Sequence, residues 1–127
     1  MSLEGDIYTA LSGATAVTDE TTAIFPEHRL YETTAVALPA VVYSRLAGSR
    51  VNDLSGYSGL ENAVVEIDVY TSSVDKRRII GDAVVATMTA ATAFKCILTD
   101  SPIDDYISEE NEVKEYIRTF DFSIWTT

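Results

Sequence analysis

Thiol chemistry is nearly absent from this chain: Cys96 is its one cysteine, so no internal disulfide can form. That suits a reducing compartment. Imidazole is equally scarce, with His28 the sole histidine. It lies in Pro26-Glu27-His28-Arg29, a segment with the look of an exposed turn, and is read as a surface residue rather than a general base. Basic residues are few, nine against twenty acidic ones, giving a formal charge of −11 and a sequence pI near 4.3. Affinity for a nucleic-acid backbone rests largely on Lys and Arg displacing counterions, so this balance argues against a general DNA or RNA binder. Long apolar runs are missing too. The hydrophobic stretches are broken by threonine and charge, and none can span a bilayer. The opening residues, Met1 to Asp6, lack the basic start and apolar stretch of a signal peptide. An intracellularly made, soluble protein is expected.

What is present is enough for one folded unit. A chain of 127 residues, 46% hydrophobic, is expected to form a single domain over 1–127 with a core that needs no disulfide. Its charge is uneven. Between Asp100 and Asp121 stand Asp100, Asp104, Asp105, Glu109, Glu110, Glu112, Glu115 and Asp121, against only Lys114 and Arg118. Lys76, Arg77 and Arg78 form the opposite cluster, within one helical turn. Two readings stand: an ordinary solvated surface, or complementary patches that meet between copies of the protein.

Ser2 is positioned to cap an opening helix with Leu3, Ile7 and Leu11 as its apolar stripe and Gly13 as its stop. The threonine- and alanine-rich stretch from Ala14 to Leu38 predicts one short strand and a mobile connection over Glu32–Leu38. A strand follows Pro39, with Val42 and Leu46 on one face and Val41, Tyr43 and Arg45 on the other. Gly48, Asn52, Asp53, Gly56 and Gly59 then predict a loop of about ten residues. Such long loops inside compact domains are functional or disordered. From Glu61 to Thr71 the period is two: Ala63, Val65, Ile67 and Val69 point one way, Glu66 and Asp68 the other.

Ser72 or Ser73 caps a second helix that gives out near Thr92. Ile80, Val84, Thr87, Met88 and Ala91 lie along one side, widened by Ile79, Ala83, Ala86 and Ala90. Phe94, Cys96 and Leu98 alternate in a fourth strand, Ser101 and Pro102 interrupt it, and an acidic connection is expected through Glu112. The last strand turns Tyr116, Phe120, Phe122 and Ile124 inward, with Arg118 between them, and Thr119, Asp121 and Ser123 outward. Trp125 is expected to pack at the sheet edge. Two helices and about five strands make an α+β fold: an antiparallel or mixed sheet with the helices on one face.

No catalytic constellation emerges. Nucleophilic catalysis needs a nucleophile, a base and an orienting group, and Cys96, alternating with Phe94 and Leu98, reads as a buried small hydrophobe. Asp104-Asp105 and Glu109-Glu110-x-Glu112 offer hard oxygens but fit no calcium loop with its turn glycine. Ser55-Gly56-Tyr57-Ser58-Gly59 is glycine-rich but lacks the phosphate-binding lysine and leads into a strand. No catalytic residue, metal or cofactor is therefore assigned. Tyr57 is read as a contact anchor or a plain loop residue. The candidate subunit or tube interface comprises Arg50, Asn52, Asp53, Tyr57, Arg77, Arg78, Glu109 and Glu110.

From about Ile7 to Ile124 the order of these parts resembles the phage tail-terminator, or tail-completion, proteins. The resemblance rests on the Pro39 strand, on Ser58-Gly59-Leu60-Glu61-Asn62-Ala63, and on Val65-Glu66-Ile67-Asp68-Val69-Tyr70 before the long helix. The alternating Tyr116, Phe120 and Phe122 complete it, while Thr21–Leu38 departs most. The resemblance implies a virion tail protein assembled in the bacterial cytoplasm, with no reaction attached. A homo-hexameric ring would cap the tail tube, end its polymerisation and join it to the head connector. Its partners would be its own copies, the tube protein and the connector. DNA would traverse the channel without specific binding, and no membrane is involved. A net negative lumen would avoid retaining DNA. Such a ring uses heterologous contacts, for which Arg77 and Arg78 could meet the acidic region near Glu109. Competing readings are a head-closure or connector component, a small acidic metal-dependent or hydrolytic enzyme, and an acidic inhibitor or immunity protein.

Overall fold

A computed structural model describes residues 3–21, 23–26, 39–53, 56–99, 102–109 and 112–126, with only the backbone path described at 25, 47–53, 56–61, 109, 112–114 and 126. Helix α1 spans Leu3–Gly13 and buries Leu3, Ile7 and Leu11, the stripe the spacing predicts. Glu4 and Asp6 sit in its first turn, where the helix dipole favours anions. Ser2, the expected cap, lies outside the described residues. After Gly13 the chain turns into α2, Thr15–Thr18, which plants Val17 in the core. This short helix was not foreseen.

Strand β1, Ile24–Pro26, is the short strand expected before residue 38, and it runs parallel to β2, Ala40–Asp53. Thr21 fixes the junction. Its buried hydroxyl donates to Pro39 O at 2.6 Å and accepts from Ala23 N at 3.0 Å. The connection expected over 32–38 lies outside the described residues.

Two loops expected from the sequence are strands instead. The stretch of about ten residues marked by Gly48, Asn52 and Gly59 is the outer half of a long hairpin between β2 and β3, Gly56–Thr71. Ladder pairing reaches Asn52↔Tyr57 and Asp53↔Gly56. Glycine and asparagine punctuate a chain only where no neighbour offers a ladder. Here irregularities between Arg45 and Ala47, and between Val51 and Asn52, absorb the misfit. The first leaves Leu46 57% exposed.

The acidic connection before Glu112 contains β5, Ile103–Glu109, paired with β6, Glu112–Thr126. Its carboxylates hid the apolar residues between them. The described sheet thus has six strands, ordered β1-β2-β3-β6-β4, with β5 beside β6 on the same flank as β4, Lys95–Leu98. Because β6 is flanked by β3 and β4, Trp125 pairs with Asn62 on one side and Lys95 on the other. It does not sit at an edge.

Helix α3, Val74–Ala90, starts at Ser73, whose side chain accepts from Lys76 N at 3.4 Å. It buries Ile80, Gly81, Val84 and Met88, while Ile79 is 36% exposed rather than part of the apolar side. At Gly81 the helix packs closely on the sheet. A Cβ there would stand 3.0 Å from Arg118 Cδ and 3.1 Å from Phe120 Cζ. Helices and sheet share one core, built on Val41, Tyr43, Ala63, Val65, Ile67, Val69, Phe120, Phe122 and Ile124. The architecture is α+β with all three helices of the described chain serving a single sheet face.

Candidate interaction surfaces

Strand alternation divides the sheet residues between a helix-covered face and the opposite one, on which Val42, the register partner of Asp68, is also buried at 4% exposed. Ala63, Val65, Ile67 and Val69 feed the core, so Asn62, Glu66 and Asp68 stand on the opposite side. Across β3 and β6 the register sets Glu66 against Asp121 and Asp68 against Thr119. The Thr119 hydroxyl donates to Asp68 Oδ1 at 2.7 Å, and Asn62 Nδ2 donates to Ser123 Oγ at 2.8 Å. Burial raises the Asp68 pKa above the usual carboxylate value, hydrogen bonds from Thr119 and with Glu66 pull it down, and the Asp121 charge adds to the rise. Asp121 Oδ1 is itself buried and takes no hydrogen bond among the described residues. Carboxylates opposed in this way destabilise a sheet, so stability alone does not explain them.

The second charged locus joins α3 to the β5–β6 hairpin. Asp104 and Arg118 are register partners, bonded twice: Nε to Oδ1 at 2.7 Å and Nη2 to Oδ2 at 3.1 Å. Arg77 approaches the same carboxylate at 3.6 Å, donates from Nη1 to Asp105 O at 3.1 Å, and lies 5.4 Å over the Tyr116 ring. Its Nε is buried without an acceptor among the described residues, beside an aromatic face that favours the cation. Arg77, a candidate interface cation, is therefore engaged within its own chain. Arg78 is 61% exposed at the side chain, with Asp82 at 3.9 Å as its partner.

Of the remaining candidates, Arg50, Asn52, Asp53 and Tyr57 lie along the far half of the β2–β3 hairpin, remote in register from the Tyr43↔Ile67 core pair. Glu109 ends β5, and Glu110 lies outside the described residues. The hairpin thus gathers four candidates at one end, while Arg77 and Arg78 belong to α3.

Sequence reasoning missed the apolar content of β5. Ile103, Tyr106 and Ile107 are 64%, 60% and 42% exposed. The spacing of Ile103, Asp105 and Ile107 was the available signal, an alternation masked by its charges. Among the described residues no three His, Cys, Asp or Glu side chains are grouped to hold a metal ion. No described helix is long and apolar enough to cross a membrane. Cys96 is half-buried against the core, and burial pushes its thiol pKa up to about 12, away from reactivity.

Comparison with known proteins places this architecture. A family model described as tail completion protein gp17 matches residues 5–127. Among solved structures, a chain from the virion of a native gene transfer agent particle aligns with a TM-score of 0.67. That alignment covers 98% of this chain and 95% of the other at 14% identity, a likeness of fold. The curated proteins contain no match to the sequence. With nearly its whole length matched, the chain belongs to the gp17 family of tail-completion proteins, and its role is a structural one in phage tail assembly.

Proposed function

We propose that the protein forms a homo-hexameric ring that caps the tail tube, stops its polymerisation and joins it to the head connector. The family match over residues 5–127 carries this reading. Two physical features support it. The protomer concentrates candidate contacts at the far end of a long hairpin, where Arg50, Asn52, Asp53 and Tyr57 would engage the tube or a neighbouring subunit. Arg78, Glu109 and Glu110 would add charged contacts between subunits, with Arg77 holding the β5–β6 hairpin in place behind them.

The sheet face opposite the helices carries Glu66, Asp68 and Asp121, and the whole chain has a formal charge of −11. Carboxylates outnumber the one cation that register places there among the described residues, Lys95 beside Trp125. A channel of that net sign would repel phosphate rather than hold it. The protein would act in the virion tail after assembly in the bacterial cytoplasm.

Electron microscopy of tails assembled without this protein tests the reading. Tubes of irregular or excessive length that fail to join heads are expected. Tubes of normal length attached to filled heads would refute it.

A further inference from the structure

We propose that the outer edge of β5 pairs with the outer edge of β2 in a second copy, joining the sheets of adjacent protomers edge to edge. This rests on the ring reading above and names the surfaces that would build it. Strand β5 is hydrogen-bonded to β6 on one side, and among the described residues no strand pairs with its other side. All its residues from Ile103 to Ser108 are exposed. Natural edges are blunted by lysine, proline or a covering element, since an open apolar edge templates another strand. Strand β5 carries neither lysine nor proline, and it displays Ile103, Tyr106 and Ile107. Its protections are a register shift between Ile107 and Ser108 and the Arg77 hydrogen bond to Asp105 O. Neither covers the edge at Ile103.

The complementary edge belongs to the same chain. Beyond Tyr43, β2 pairs only with β3 among the described residues, because β1 reaches no farther than the Pro26↔Tyr43 pair. Between Ser44 and Asn52 this strand carries Arg45, which stands 3.9 Å from Glu4 of α1, and Arg50, and no acid, whereas β5 carries Asp104, Asp105 and Glu109 and no base. Arg118 and Arg77 already neutralise Asp104, which leaves Asp105 of the described side chains to attract a cationic edge. The two edges lie at opposite ends of one sheet. A protomer with different, complementary surfaces at its two ends makes head-to-tail contacts, the kind that close into a ring. Backbone pairing would supply affinity, and opposite charge would set register and direction. The occupant is thus a second copy of this chain.

Charge reversal on the full-length chain tests this, read by sedimentation and native mass measurement, with circular dichroism to establish folding. Asp105→Arg and Arg50→Glu, each alone, should weaken self-association by roughly ten-fold or more. The double variant should recover the wild-type assembly. Ile103→Lys, at a 64% exposed site outside the core, should weaken it independently of charge pairing. Folded single variants that assemble like wild type would overturn the edge contact and leave the ring intact. A wild-type chain that stays monomeric, both alone and on tail tubes, would overturn ring and edge together.

Discussion

Arg118 clasps Asp104 across the β5–β6 ladder with two hydrogen bonds, 2.7 and 3.1 Å long, between directly opposed residues. The pair fastens a strand none of whose described side chains is buried in the core. It also keeps the Arg118 stem beside Gly81, so helix, inner strand and edge strand meet at one guanidinium.

Asp104→Asn is expected to destabilise the fold by about 0.5–1 kcal/mol, since a two-pronged pair at a partly exposed site lies at the upper end for surface ion pairs. The hydrogen bond from Arg118, followed by the charges of Arg118 and Arg77, holds the Asp104 pKa below its ordinary value. The stabilisation is therefore present above the unfolded carboxylate pKa and lost as pH falls through the folded one. Thermal melts of both proteins should differ at neutral pH and converge in acid.

Asp68 has the opposite sign. Its folded pKa is raised, chiefly by burial, so its stabilising contribution exists below the unfolded pKa and disappears as pH rises through the folded value. Asp68→Asn keeps an acceptor for Thr119 and should raise the melting temperature at neutral pH, with the gain vanishing in acid. Thr119→Val should cost about 1–2 kcal/mol, because it strips a donor from a half-buried carboxylate. Urea titrations at neutral and acidic pH separate the two effects.

Close packing makes Gly81 and Ile67 sensitive in opposite directions of volume. Alanine at 81 would gain up to about 1 kcal/mol of helix propensity. It would also press on Phe120, 2% exposed, and on the pinned Arg118 stem. Overpacking of about 1–3 kcal/mol should outweigh the gain. Ile67 is fully buried, and Ile67→Ala should lower stability by about 2–5 kcal/mol through the cavity it leaves. Denaturant midpoints check both, and an unchanged midpoint for Ile67→Ala would contradict its placement.

With its thiol pKa near 12, Cys96 presents almost no thiolate at pH 8. Iodoacetamide should label the native protein about 100-fold or more slower than the denatured chain. A native rate close to the denatured one would show that the strand leaves the sulfur open.

Elements whose apolar residues kept a single period were legible in advance. Helix α1 declared itself through Leu3, Ile7 and Leu11, β3 through Ala63 to Val69, and β6 through Phe120, Phe122 and Ile124. Each periodic set records which side must leave water, whatever the partner. Strand β5 and the far half of the β2–β3 hairpin escaped, because their local residues favour turns or solvent and only a neighbouring ladder makes them strands. The candidate surface shows the same division: its cations and acids could be counted, but not their pairing. Arg77 looked available between copies until Asp104, Asp105 and Tyr116 enclosed it.

Sequence by itself determined the acidic balance and the apolar periods of α1, β3 and β6, both properties of residue type and spacing. Tertiary structure alone decided that Glu66, Asp68 and Asp121 gather on the face opposite the helices and that β5 lies at an edge of the described sheet. Strand order is the physical reason: residues far apart in the chain become neighbours only when β6 settles between β3 and the β4–β5 flank.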